Sequence, residues 1–441
     1  MAIYLLLFIS VPCWYLLLKK HKKIYVSVIA IELLALLLLR SPQLGVDMPN
    51  YSAGYAYIAG LSAKEMFSSL NFLFPADIYN LYAYESGYVV LNWVLSHIGI
   101  GFQGFLVLYA FFCVITHSRF IYKYSKNPCL TFLIFIAFAA FGYLFGLLRQ
   151  SIAASILLLS VDAIKDKKFI KFLLLVLLAF TFHRSALIFL PLYFASKIKF
   201  KSKTFLWGFA LYATELIALV TVAKYLIEIV LAAFGKTSYS ISAFSLNKFT
   251  LLLIASLVFF LLTMNFKKNY EDKNFNLICA GLWLGVYVQL GSSYLDLVGR
   301  MYTGYFLLFF ALAMSWAMSE LKKQSKFMYY GALVMFFGVL LAVMICFVVF
   351  LIGEKPNIRK MVKTSWYYPL GAGASSALGN LFVILLATTV LSPNLIYPTL
   401  GVGCLALTSI VSIFLFKEKL TWWQWVGAVV GTVAVVLLSI A

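Results

Sequence analysis

The sequence predicts an all-α fold, a polytopic bundle of transmembrane helices with short or re-entrant helices near its outer face. Three observations predict it. Only 11% of the 441 residues are charged and 64% are hydrophobic, whereas a water-facing surface needs about a quarter charged residues. Apolar runs such as Cys129–Leu147 and Tyr329–Ile352 contain no charge and approach the roughly 20 residues that cross a bilayer core. These runs are continuous rather than alternating, and in lipid the backbone is satisfied only by a helix or a closed barrel, so helices are selected. At one span per apolar run the count is about 14 to 16.

The elements follow in order. Met1–Leu18 has neither a basic leading region nor a small-residue cleavage site and reads as a retained helix rather than a signal peptide. The net charge of +20 is concentrated in lysine clusters at Lys19–Lys23, Lys123–Lys126, Lys165–Lys171, Lys197–Lys203, Lys267–Lys273 and Lys322–Lys326. Short basic loops stay cytoplasmic, so these mark the inner face. That rule accounts for most of the basicity, and no soluble domain is available to carry a nucleic-acid-binding patch. Helix Tyr25–Leu39 then brings Arg40 to the outer face. The hairpin Leu130–Leu147 and Ile152–Ile164 presents Arg149 and Gln150 there. The short pair Phe172–Phe182 and Ala186–Phe194 presents His183 and Arg184, and the pair Phe275–Ser293 and Tyr302–Met318 presents Arg300. Two segments break the parity. Between Lys23 and Lys123 there are three apolar runs where two or four crossings are needed, so either Tyr88–His97 is re-entrant or part of Tyr51–Phe74 enters the membrane. The basic segment Lys355–Lys363 also falls outside.

Cys13, Cys113, Cys129, Cys279, Cys346 and Cys404 all lie in apolar stretches without paired spacing, as small buried side chains do, and four scattered histidines make no ligand set. No metal and no cofactor is expected. Glu32 and Glu215 lie inside apolar helices, where a carboxyl is costly and serves either a function or a structural pair; the structural role suits Glu215.

The arginines part from the lysines. There are six, and Arg40, Arg149, Arg184 and Arg300 sit at outer helix ends while the inner loops use lysine almost exclusively. Lysine suffices for topology, whereas the planar guanidinium grips a phosphate or carboxylate at two points. Convergence on one face therefore points to an anionic ligand at the outer boundary; the alternative is that each arginine snorkels or pairs with a nearby acid. His183 abuts Arg184 at the tip of two short helices, where a neutral imidazole is able to accept a proton. Asp47 and Glu85 supply carboxylates on the same side.

The stretch Arg40-Ser-Pro-Gln-Leu-Gly45-Val-Asp47-Met-Pro-Asn-Tyr51 resembles the start of the EpsG family. So do, in the same order, Glu85-Ser-Gly87-Tyr88 with Leu91-Asn92, Arg149-Gln150, Phe182-His183-Arg184-Ser185-Ala186-Leu187 and Gly299-Arg300 with Tyr302. The resemblance covers about residues 1–320 and is carried by the set rather than by any one motif. EpsG-like proteins resemble Wzy-type polymerases, which implies a metal-independent glycosyltransferase of the bacterial cytoplasmic membrane. Its substrate would be a polyprenyl-diphosphate-linked oligosaccharide, joined into exopolysaccharide or O-antigen at the outer side. Arg40, Tyr51, Arg149, Gln150, Arg184 and Arg300 would bind substrate; His183, Asp47 or Glu85 would take the acceptor's proton. Membrane lipids, a chain-length regulator and a flippase of the same pathway are the implied partners.

Residues 327–441 form a second expected domain after the polymerase-like residues 1–325. This tail is rich in small residues, and its segment 366–441, from Tyr397-Pro398 through Phe416-Lys417-Glu418-Lys419-Leu420 to Gly427 and Gly431, resembles drug/metabolite transporters of the EamA and small multidrug resistance type. Tyr329–Ile352 would be the first helix of that four-helix module, but it lacks the carboxylate of proton-coupled relatives. A transporter or flippase of lipid-linked sugars is the alternative function, with Glu32 as its coupling group. A glycan-modifying acyltransferase is a third, and its intramembrane histidine signatures are absent. If the tail only packs, truncation after Gly353 lowers protein yield and leaves glycan chemistry intact in the protein that folds; loss of polymer from a stably folded truncation overturns this.

Overall fold

The computed structural model describes residues 2–41, 45, 47–70, 76–78, 82–138, 140–219, 221, 248–293, 296–326 and 328–329. The chain divides into two compact units, Met1–Phe336 and Phe337–Ala441, and every described residue belongs to the first. The transporter-like module and its glycines, Lys355–Lys363 and Arg359 lie outside the described residues, apart from residues 328–329 at the module's start.

The described chain is helical with one short hairpin. Helices α1 (Ala2–Leu18) and α2 (Lys22–Leu38) are followed by α3 (Met48–Ala59) and α4 (Ala63–Ser69). The antiparallel strands β1 (Ala76–Ile78) and β2 (Tyr82–Tyr84) then lead to α5 (Ser86–His97) and α6 (Phe102–Tyr124). Next come α7 (Pro128–Ala137), α8 (Ala140–Gly146), α9 (Leu148–Lys165) and α10 (Phe169–Phe182), a 3-10 turn at Arg184–Phe189 and α11 (Pro191–Ala195). Helices α12 (Ser202–Ala218), α13 (Lys248–Thr263), α14 (Phe266–Asn269), α15 (Lys273–Gly291) and α16 (Asp296–Met301) lead through a π-helical turn, Tyr302–Phe306, into α17 (Leu307–Gln324).

Length and composition qualify α6 and the stretch Val298–Gln324 to cross a membrane, and a third span if the bent pair α7–α8 counts as one; shorter apolar helices accompany them. The expected 14 to 16 spans exceed what the described helices supply. Helix α17 explains its own place. It is apolar on every side and buries residues from Leu307 to Met318 without a break, as a helix surrounded by other helices does. It packs on α7, α13 and α15.

The lysine-bearing ends gather together. Lys22 donates to the Ser125 carbonyl at 2.7 Å. Asp162 on α9 accepts from Arg119 and Lys123 of α6, each at 2.6 Å, and Lys199 pairs with Glu271 at 2.7 Å. Beneath them the hydroxyl of Ser315 lies 3.0 Å from that of Ser125 and accepts from the Asn127 amide at 2.8 Å, while Trp316 donates to the Tyr124 carbonyl. Polar groups inside a dry bundle need such partners, and here they fix the α6–α7 corner onto α17.

Between Lys23 and Lys123, where the sequence leaves the parity open, two short helices pack together. Helices α3 and α5 each have 12 residues, about 18 Å at 1.5 Å per residue, well short of a bilayer core. They lie side by side, joined where Trp93 donates to the Leu61 carbonyl and Tyr55 to that of Ile100. Among the described helices of this region, only α6 is long and apolar enough to cross a membrane. The arm expected as a continuous helix over Leu130–Leu147 is broken instead. Helices α7 and α8 meet at 53°, where the Phe138 ring turns edge-on to Phe310. Glu32 is engaged by α1, accepting from Ser10 at 2.9 Å and Trp14 at 2.5 Å.

Helix α5 approaches α10 closely at Gly87, where an added Cβ would stand 2.8 Å from the Thr181 carbonyl oxygen. Gly87→Ala should cost about 1–3 kcal/mol through this overpacking, read as a lowered thermal midpoint in detergent; an unchanged midpoint would show that the two helices part freely.

Candidate functional site

The site end of the bundle is built on a helix break. Helix α8 stops at Gly146 and leaves C-terminal carbonyls without intrahelical donors. Arg40, buried at the end of α2, fills that need: its Nη1 donates to the Leu144 carbonyl at 3.1 Å and the Phe145 carbonyl at 2.7 Å. Tyr109 of α6 donates to Leu144 as well, at 2.9 Å. A cation at a helix C-terminus is also favoured by the macrodipole. Arg40, expected to bind substrate, thus has Nη1 engaged by the backbone and holds the corner from which α9 starts.

The first turn of α9 carries Arg149 and Gln150 and contains no acidic residue. A cation at a helix N-terminus opposes the macrodipole, so the counter-charge comes from elsewhere. Glu85 is the N-cap residue of α5 but makes no cap bond with its side chain. Its Oε2 instead accepts from Arg149 Nη1 at 2.5 Å, and its Oε1 accepts from the backbone amide of Arg184 at 3.4 Å. The pair is largely buried, with 24% of the Arg149 side chain and 10% of that of Glu85 exposed.

Aromatic rings enclose it. Tyr51 stacks on Tyr84 with centroids 5.8 Å apart, and Tyr88 meets both edge-on. The Arg149 guanidinium lies 5.0 Å from the Tyr84 ring and 5.9 Å from that of Tyr51, within cation–π range, and its Nε donates to the Tyr51 hydroxyl at 3.4 Å. Gly54 admits this arrangement, since a Cβ there would lie 2.5 Å from the Tyr84 ring.

His183 closes the far side. It ends α10 in extended backbone, and its Nδ1 lies 2.6 Å from the Ser185 hydroxyl, which lies 2.8 Å from that of Tyr305 on the π-helical turn. Burial pushes the His183 imidazole down to about 4; Glu85 opposes that shift and Arg149 adds to it.

The structure therefore brings together Tyr51, Glu85, Arg149, His183 and the backbone of Arg184. Gln150 is buried and donates to the Arg300 carbonyl at 2.8 Å, so it holds the chain that carries Arg300, whose side chain is exposed. Asp47 caps α3 without a side-chain bond, one turn from Tyr51 at the rim. Tyr84 and Tyr305 were missed as site residues, and Tyr88 and Ser185 were quoted only within motifs. All four stand inside or beside the motifs that carry the resemblance, but among 28 tyrosines no sequence pattern marks three as enclosing a cation. Among the described residues no three His, Cys, Asp or Glu side chains are grouped to hold a metal ion.

Comparison with known proteins bears on this geometry. The model of the EpsG family matches residues 23–352. No curated protein and no solved structure matches the chain. The match takes in Tyr329–Ile352, expected as the start of the transporter-like module, and ends before residues 366–441, whose transporter resemblance it does not support.

The imidazole environment is testable directly. In nitrogen-15 spectra, with His183→Gln for assignment, the His183 ring should stay neutral at pH 6 and take up its proton only as the pH falls toward about 4. Titration near the ordinary value of about 6.5 would place the ring in solvent.

Proposed function

Since the chain belongs to the EpsG family of membrane proteins of polysaccharide biosynthesis, we propose that it is a polymerase joining polyprenyl-diphosphate-linked oligosaccharide repeats at the outer side of the bacterial cytoplasmic membrane. The observation that carries this reading is the Glu85–Arg149 pair beside His183, at the end of the bundle away from the lysine loops.

In this reading the acceptor hydroxyl oxygen attacks the anomeric carbon of the donor sugar. The bond from that carbon to the diphosphate oxygen breaks, and the polyprenyl diphosphate departs with the electron pair. Arg149 meets the charge developing on the leaving group, and exposed Arg300 and partly buried Arg184 are the further cations for the diphosphate. Preorganised cations facing a developing charge are the strongest catalytic device available to such a site. Glu85 keeps Arg149 charged and oriented in apolar surroundings, which makes it a positioning residue rather than the base. With Nδ1–H donating to Ser185, His183 presents Nε2 to the acceptor hydroxyl. Its proton affinity is low in the empty site and rises when the diphosphate arrives, because a nearby negative charge favours the imidazolium. Asp47, at the rim, is the second candidate for the proton.

The test is polymer length in a reconstituted assay on lipid-linked repeats. Arg149→Lys keeps the charge and loses the two-point fork, and should slow joining about a hundredfold or more. His183→Ala should cost about a hundredfold. Wild-type polymer from Arg149→Lys overturns the leaving-group role, and near-parental rates from His183→Ala with loss in Asp47→Asn move the base to Asp47. If repeats cross the membrane and are never joined, the transporter alternative replaces the polymerase.

A further inference from the structure

An apolar groove of about 410 Å³ lies on the side of the bundle between α5, α6, α9 and α10. Helix α9 forms its floor with Ile152, Ile156 and Leu159; α10 forms one wall with Leu175, Leu178 and Phe182. Helix α6 forms the other wall through Phe105, Tyr109 and Phe112, and α5 roofs the upper end.

The helical periodicity ties the groove to the charged pair. Arg149, Ile152, Ile156 and Leu159 are spaced three, four and three residues apart on α9, which puts them on one stripe. The stripe therefore begins at the guanidinium and continues as the groove floor for about 10 Å at 1.5 Å per residue. On α10 the stripe Leu175, Leu178, Phe182 stops one residue before His183. The lining holds one hydroxyl, that of Tyr109, already donated to the Leu144 carbonyl. Nothing in the groove hydrates a polar guest, and the stripe that floors it starts at Arg149, whose Nη1 is paired with Glu85. That is the complement of an amphiphile with an anionic head and a long apolar chain.

We propose that the groove binds the isoprenoid chain of a lipid phosphate whose head reaches Arg149, and that this lipid arrives sideways from the bilayer between α6 and α10. The head group rests on the polymerase reading; the chain site rests on the lining and the stripe. A general lipid tail would coat every apolar face alike, including Leu17, Ile31 and Leu177, which are exposed elsewhere on the bundle. The groove differs from those faces in being concave and in having a floor stripe that starts at Arg149.

The experiment uses the full chain in nanodiscs and a diazirine-bearing isoprenoid phosphate as the probe. Cross-links should concentrate on the α9 and α10 stripes and be displaced by unlabelled long-chain isoprenoid phosphate, but not by inorganic phosphate or an ordinary phospholipid. Leu178→Trp, at a half-exposed wall position, should lower groove labelling about tenfold, the loss of about 1.4 kcal/mol of contact. Ile156→Trp should do the same from the buried floor. Leu177→Trp, outside the lining, should leave it unchanged. Labelling spread evenly over the lipid-facing helices, displacement by any phospholipid, or full groove labelling in a folded Leu178→Trp protein overturns the proposal. Groove labelling in a protein that joins no repeats would sink the polymerase reading and leave the lipid site standing; polymer formation with no groove labelling would do the reverse.

Discussion

A guanidinium buried among tyrosines at the start of a helix is the constraint that organises this molecule. In apolar surroundings an unpaired charge is costly, and breaking a buried pair by removing one partner typically costs about 3–5 kcal/mol. Arg149 also stands where the α9 dipole disfavours it. Glu85 answers both demands, but it belongs to α5, so α5 must sit against α9 and α10 for the charge to be balanced. That requirement fixes the close passage at Gly87, brings Tyr84 over the guanidinium with Tyr88 edge-on to its ring, and sets the Arg184 amide on the same carboxylate.

The arginines then sort by what each faces. Arg40 faces backbone carbonyls and shapes the helix break. Arg149 faces a carboxylate and aromatic rings. Arg300 is held by its own carbonyl through Gln150 and leaves its side chain to the surface, and Arg119 joins the Asp162 cluster among the lysines. One residue type thus serves as helix cap, site cation and surface charge, according to which partner the fold delivers.

Much of this was legible in the sequence. The apolar runs marked the helices, the lysine clusters marked ends that the contacts of Lys22, Asp162 and Lys199 gather, and the motifs marked Glu85, Arg149 and His183, which meet. Other features depend on tertiary approach and leave no local trace. Whether Arg40 meets a ligand or a carbonyl depends on where α8 breaks, and hydropathy does not distinguish a bent helix from a straight one. Helices α3 and α5 carry enough apolar residues to read as partial spans, and their length of 12 residues and their mutual packing are set by where the chain turns, which hydropathy does not mark. The enclosing tyrosines are scattered through the chain and acquire meaning only through the cation they surround.

The clamp on α8 has a consequence for biosynthesis. Arg40 and Tyr109 both precede the carbonyls they hold, and Tyr51, Tyr84 and Glu85 all precede Arg149. Chains are made from the amino terminus, with earlier parts settling first. When α8 and α9 emerge, the donors for the broken end and the counter-ion for the new cation are already in the growing bundle. Arg149 is therefore made after the carboxylate that balances it, in a setting where an unpaired charge is expensive.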